Sequence, residues 1–330
     1  MRLALNNQII KLKNKGVKRV IIDNIIIVFL VLMFIASTIA TKDFLTDFNL
    51  TNLLRQYAAP TIMALGMLMV IITGGIDLSI GSIVAVSNVV CALLIVKYEL
   101  NPIFSIVVAL SVGLLCGMIS GYLIAYRKVA PFIATLAMMS IASSFSFIFS
   151  EGTNIAIRNE AWVGFGSTYL FQAPGILGLP VQAAIMIIFV ILMFFVLNFT
   201  SYGRLATAIG SNEEAVRLSG VRVNAIKFSV YCISGVLAAL GSILILTRSA
   251  VGTGRIGSGY ELNAIAACVI GGASLSGGRG TVLKTVAGVF VLALIGNIMN
   301  LLNIPSYPQD VIKGVIIIIA VLFQNSKNSD

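Results

Sequence analysis

The sequence predicts an all-α, polytopic membrane protein with about ten transmembrane helices. Three observations predict it: an extreme apolar composition, apolar runs of spanning length, and basic residues gathered in the breaks between them. Hydrophobic residues make up 58% of the 330 and charged residues 10%. Soluble chains carry about 45–50% and about 25%. A bilayer core is roughly 30 Å thick, so one spanning helix needs about 20 apolar residues.

Apolar runs lie near 21–41, 57–73, 76–96, 103–125, 131–150, 180–199, 228–248, 260–275, 281–302 and 309–323. The first follows a basic segment and ends in Thr38-Ile39-Ala40, which resembles a cleavage site. Its length exceeds the 7–15 residues of a signal core, so it is read as a retained first helix. The run at 260–275 is short for a span. A broken or re-entrant piece is the other reading, and it requires protein or a water-filled cavity over its backbone.

The net charge of +10 does not point to nucleic acid, because its distribution follows the membrane. Arg2, Lys11, Lys13, Lys15, Lys18 and Arg19 precede the first run. Arg127 and Lys128 follow the fourth run, Arg204, Arg217, Arg222 and Lys227 the sixth, and Lys327 the last. With a cytoplasmic N-terminus all four clusters fall inside, as the positive-inside rule asks. Arg158, Arg248 and Arg255 fall outside and break the rule. Cys91, Cys116, Cys232 and Cys268 sit in apolar runs without metal-ligand spacing, and the chain has no His. They read as small buried hydrophobes rather than zinc ligands.

Three segments carry more specific signals. Gly113, Gly117 and Gly121 recur every four residues in one run. That places three glycines on one helix face, where a second helix can approach closely. Gly66, Gly235 and Gly241 read the same way. Between the sixth and seventh runs, Ser211-Asn212-Glu213-Glu214 opens a short helix. Ser211 is the expected cap, with Glu214 completing a capping box. Glu213 and Arg217 pair at i,i+4, and Gly220 suits the position just past the end. So short a helix needs tertiary contacts, either with its own membrane domain or with a partner. In Gly74-Gly75-Ile76-Asp77-Leu78-Ser79, the glycines interrupt the apolar pattern just before a carboxylate. Asp77 is either a gate or pathway element, or the cap of the next helix. The Gly271 to Gly280 block lacks the lysine of a phosphate loop and reads as a turn between spans.

Together with Asn49 to Asn52, Pro131-Phe132-Ile133-Ala134-Thr135-Leu136, Gly203-Arg204 and Tyr260 to Ala267, these blocks resemble the permease subunits of ribose and other simple-sugar ATP-binding-cassette (ABC) importers. The resemblance runs from about Asn49 to Phe323. It implies a type II ABC importer-like bundle: a basic cytoplasmic N-terminus at 1–20, a permease domain at 21–323 and a cytoplasmic tail at 324–330. It implies that loop 202–227 carries the coupling helix, with Ser211, Asn212, Glu213, Glu214, Arg217 and Gly220. The implied partners are ABC ATPase subunits that bind ATP and Mg, a second permease copy or a paralogue, an extracytoplasmic sugar-binding protein and membrane lipid. The chain itself is expected to bind no cofactor and to catalyse nothing. The implied location is the bacterial inner membrane, with both termini cytoplasmic. Relatives commonly carry Asp at Asn263 and Gly at Lys284, and these departures bear on substrate identity. Galactose-type sugars, a furanose signalling molecule and nucleosides are the family alternatives.

Neutral sugars need hydrogen-bonding groups more than charges. Gly74, Gly75, Asp77, Ser79, Asn88 and Asn300 are the path or gate candidates, though the polar ones serve equally well as interhelical glue. An ion-coupled secondary transporter is the rival class and would rest on Asp77 and Glu261. A membrane enzyme lacks the cluster of His, Asp or Cys it would need. A passive channel gives the capped helix no purpose.

Overall fold

The computed structural model describes residues 24–172, 178–305 and scattered positions between 307 and 318. The basic N-terminal segment, Pro174, most of the run at 309–323 and the tail lie outside the described residues. In order, the elements are α1 (Ile25–Ala40), α2 (Asp47–Ile72), α3 (Ile80–Val96), α4 (Pro102–Ala125), α5 (Pro131–Ser150), β1 (Ile155–Ala156), α6 (Glu160–Ser167), β2 (Tyr169–Leu170) and β3 (Leu179–Pro180). There follow α7 (Val181–Phe199), α8 (Ser201–Ser211), α9 (Glu213–Leu218), α10 (Val223–Ser249), β4 (Val251–Gly252), α11 (Tyr260–Ile270) and α12 (Val282–Leu301).

Six of these helices, α2, α4, α5, α7, α10 and α12, are long and apolar enough to cross a membrane. α1, α3 and α11 are apolar but shorter. The described residues therefore show six helices of spanning length where the sequence predicted about ten spans. Two helices start earlier than their apolar runs. Thr46 accepts the Asn49 N–H at 3.3 Å and opens α2 ten residues upstream of the run that begins at Tyr57. α10 likewise starts at Val223, five residues before its run. Helix boundaries follow caps, and apolar runs mark only the lipid-depth portion.

α2 and α10 are the central pair, buried along most of their length. α4, α5 and α7 expose most of their apolar surface, as lipid-facing helices do. The close approach of α4 to α10 is set by glycine. A Cβ at Gly113 would strike the Gly235 carbonyl, and one at Gly117 the Tyr231 carbonyl. One at Gly121 would come within 2.8 Å of the Phe228 carbonyl. Hydrocarbon offers no hydrophobic drive for helices to associate, so close backbone contact holds this pair together.

The chain between α10 and α11 is not helical. β4 pairs antiparallel with β1, and the next residues then run along α3 without helical structure. The Thr253 N–H donates to Asn88 Oδ1 at 3.0 Å, and Ser146 Oγ donates to the Gly254 carbonyl at 3.3 Å. Gly257 lies against Gly81. Asn88 and Gly81 are two turns apart on α3, about 10 Å along its axis. α11 then runs for 11 residues. It stops at Ile270 rather than Leu275, because Gly272 takes φ +84° and turns the chain.

The bundle has two distinct ends. At one, α6 covers the C-terminus of α10: Trp162 Nε1 donates to the Leu246 carbonyl at 3.3 Å, and Arg55 Nη2 to the Gly166 carbonyl at 2.8 Å. At the other lie α8, α9, the ends of α2 and α4 and the 271–281 turn. Replacing Gly117 with Leu wedges α4 off α10. The expected outcome is a loss of about 1–3 kcal/mol, the usual cost of overpacking, read as a lower melting temperature in detergent. The exposed Leu115→Ala change leaves melting near wild type.

A glycine junction, a connecting helix and a serine groove

α9 is built from the residues that predicted it, shifted by one. Asn212 is the cap: its Oδ1 accepts the Ala215 N–H at 2.9 Å. Ser211 instead ends α8, and its Oγ donates to the Thr207 carbonyl at 3.0 Å. The expected capping box is therefore absent. Glu213 and Glu214 occupy the first turn, where the helix dipole favours negative charge, and Arg217 the last. Gly220 follows the C-cap at φ +85°. Glu213 binds Arg217 on its own helix and Lys227 on α10, the latter at 2.6 Å. Partial burial pushes the Glu213 carboxyl up. The Lys227 hydrogen bond and the charges of Lys227, Arg217 and Lys128 outweigh that and hold it below its usual value. No residue of α9 is buried, and Leu218 is 82% exposed.

α9 stands on a junction of three backbones. The end of α2 turns at Gly74, with φ +79°. The 271–281 turn lies against it, and the Gly278 N–H donates to the Ile72 carbonyl at 2.9 Å. The end of α8 fills the third side: a Cβ on Gly210 would strike that same Ile72 carbonyl and the Gly278 nitrogen. A Cβ on Gly277 would come within 2.8 Å of the Gly210 carbonyl and 3.0 Å of Gly74 Cα. Segments more than 60 residues apart in sequence are thus in backbone contact just before α9.

Asp77 sits behind this junction, 1% exposed. Its carboxylate accepts the Ser79 N–H at 3.0 Å, Ser79 Oγ at 2.6 Å and Ser234 Oγ at 2.8 Å. It therefore ties the turn before α3 to α10. Ser79, at the N-cap position of α3, makes no side-chain cap bond of its own; Asp77 accepts its N–H, so Asp77 serves the start of α3 as the sequence allowed and also braces it to Ser234 of α10. Asn88 is fully buried, its Nδ2 donating to the Ser242 carbonyl and its Oδ1 accepting from Thr253. Asn300 Oδ1 accepts from Gln309 Nε2 at 2.8 Å. The polar path candidates are thus engaged in interhelical and local bonds.

A polar surface lies beside them. A groove of about 690 Å³ runs between α3, α5 and the broken segment. Ser82, Ser140, Ser143, Ser144, Ser258, Arg255 and Glu261 line it. Sequence reasoning missed it, although Ser140, Ser143 and Ser144 are spaced three and four apart and share a helix face. Ser140 and Ser144 bond back to carbonyls of their own helix, which leaves each hydroxyl free to accept. Among the described residues no cluster of His, Cys, Asp or Glu is arranged to hold a metal ion.

The family model described as branched-chain amino acid transport system / permease component matches residues 49–321. The chain belongs to this permease family. It is a multi-pass membrane protein and a transport component. It is 40% identical over 308 residues to the ribose import permease protein RbsC of Escherichia coli K12, covering 92% of this chain and 93% of that one. It is 38% identical over 303 residues to RbsC of Bacillus subtilis, covering 91% and 92%. The L-arabinose transport system permease protein AraH of Escherichia coli K12 is 38% identical over 310 residues, covering 92% and 90%. No solved structure matches the chain.

Two outcomes follow for α9. Asn212→Ala removes the cap at a cost of about 1 kcal/mol, so amide exchange across 213–218 quickens roughly fivefold. The lowered Glu213 value means that its bridges persist through neutral pH. Their contribution is lost only as the pH falls through that value, below the usual ~4.3. Exchange of α9 in the wild type therefore converges on that of Glu213→Gln only once the pH has fallen through that lowered value, and the two differ at pH 7.

Proposed function

We infer that this chain is the membrane-spanning permease of an ATP-driven ABC importer that carries a monosaccharide, of ribose type, into the cytoplasm. Identity of 38–40% over more than nine-tenths of the chain to ribose import permeases carries the reading. The family description names amino acids, but it covers a fold shared by many substrates. The full-length sugar relatives are the finer guide. The serine groove agrees with them, since a neutral polyol asks for hydroxyl partners, and Ser82, Ser140, Ser143, Ser144 and Ser258 line it.

Orientation follows from charge. The short connections at the α9 end carry Arg127, Lys128, Arg204, Arg217, Arg222, Lys227 and Arg279. The positive-inside rule makes that end cytoplasmic. The full count of about ten spans and the type II arrangement complete the topology, with both termini inside. The α6 end then faces an extracytoplasmic sugar-binding protein.

α9 is the coupling helix in this reading. An exposed, capped helix with an exposed leucine offers a rigid docking face to an ABC ATPase, which binds the ATP and Mg. ATP binding draws two ATPase subunits together. The push on α9 passes through Gly210 to the Ile72 carbonyl and the Gly278 turn, and so to α2, α11 and α12. A serine groove cannot face hydrocarbon unsatisfied. A second permease copy, or a paralogue, covers it, and the sugar passes between the two.

The double change Glu213→Arg with Glu214→Arg reverses the charge of the first turn and breaks the Lys227 tie. The expected result is loss of the co-purified ATPase and a fall of uptake to background, with the permease still folded. Wild-type uptake that continues with ATP depleted and no ATPase bound would contradict the importer reading and favour an ion-coupled carrier.

A further inference from the structure

A second cavity, of about 170 Å³, lies between α2, α10, α11 and α12. It is separate from the serine groove and shares no lining residue with it. Its size is close to that of the ~150 Å³ engineered cavity that holds one benzene ring. Its floor is apolar, with Met63, Ala264, Ala267 and Leu292. Its mouth is polar and aromatic: Gln56, Tyr57, Arg248, Tyr260 and Asn263 converge there. Gln56 and Arg248 are exposed and lie toward the α6 end, so the cavity opens on that side.

None of these five side chains has a hydrogen-bond or ion-pair partner among the described residues. Pro60 adds an acceptor at the same place. It sits inside α2 and has no N–H to give to the Gln56 carbonyl. The mouth thus gathers two phenols, two carboxamides, a guanidinium and a carbonyl without its helical donor around a ring-sized space. Arg248 and Asn263 are also among the residues that the sequence left unexplained, one by the charge rule and one by the family pattern.

We propose that this cavity is a subsite for one monosaccharide ring on the extracytoplasmic side of the permease. The inference rests on the importer reading. Tyr57 and Tyr260 supply ring faces and hydroxyls, and Arg248, Asn263 and Gln56 the planar donors and acceptors that vicinal hydroxyls bond. The single guanidinium and the aromatic pair favour a neutral ring over a lipid phosphate, which would call for more cations. Each protomer then holds its own sugar before the shared path opens. Binding at a site of so few hydrogen bonds is weak, which suits a carrier that must release.

The test uses the assembled importer without binding protein, with D-ribose as the probe and saturation-transfer NMR as the readout. Wild type is expected to transfer saturation to the ribose ring protons. Ala264→Phe fills the cavity and abolishes the transfer while ATPase still co-purifies. Tyr57→Phe and Asn263→Ala each weaken ribose binding about fivefold, the effect of one lost hydrogen bond. They also shift the ratio of D-ribose to L-arabinose uptake, which a folding defect would not do. Tyr98→Phe, on an exposed loop, changes neither. Unaltered transfer in Ala264→Phe overturns the subsite while leaving the importer standing, as does an unaltered sugar ratio in both deletions. A wild type that takes up no sugar even with its binding protein sinks the importer reading, and the subsite with it.

Discussion

The contact on which the rest of the account depends is the one between the Gly210 backbone and the Ile72 carbonyl. That carbonyl ends α2, the central helix, and also receives the Gly278 N–H at 2.9 Å. Glycine at 210 and 277 lets three backbones touch where any side chain would hold them apart. α8 leads directly into α9, so a displacement of the connecting helix reaches α2 and the 271–281 turn with no flexible side chain in between. Close-packed interiors transmit strain because they yield little. Asp77 extends the contact by fastening the turn after α2 to Ser234 of α10. α9 thus addresses both central helices.

The second constraint is backbone satisfaction. An unhelical segment at membrane depth is tolerated only where protein or water meets its polar groups. Asn88 and Ser146 meet those of Thr253 and Gly254. The β1–β4 pair anchors the segment at its far end. This bracing is why Asn88 is buried. The broken segment in turn supplies one wall of the serine groove. α11 starts only at Tyr260, and the smaller cavity lies beside that residue. Two sugar-sized spaces therefore derive from one interruption in a helix.

Much of this was legible in the sequence, because its causes are local. Glycines four apart predict a close helix contact whatever the partner, and α10 is that partner. The i,i+4 pair of Glu213 and Arg217 and the terminal Gly220 also depend only on neighbours in the chain. The cap was read one residue early. Ser211 and Asn212 are both good caps, and the choice fell to the junction, where Ser211 closes α8 against Gly278. Asp77 was legible as a carboxylate that serves a path or glues helices, but its partner was not, since Ser234 lies 157 residues away. The groove and the cavity are tertiary objects. Their serines and tyrosines look like ordinary residues until α3, α5 and α11 are set side by side.

The most direct test of the central contact is the ratio of sugar transported to ATP hydrolysed in reconstituted importer carrying Gly210→Ala. Alanine favours a helix over glycine by about 1 kcal/mol, so α8 itself is not weakened. The added methyl meets the Ile72 carbonyl and the Gly278 nitrogen. The account predicts that ATPase remains bound and continues to hydrolyse ATP while sugar transported per ATP collapses. An unchanged ratio would show that motion at α9 reaches the membrane helices by another route.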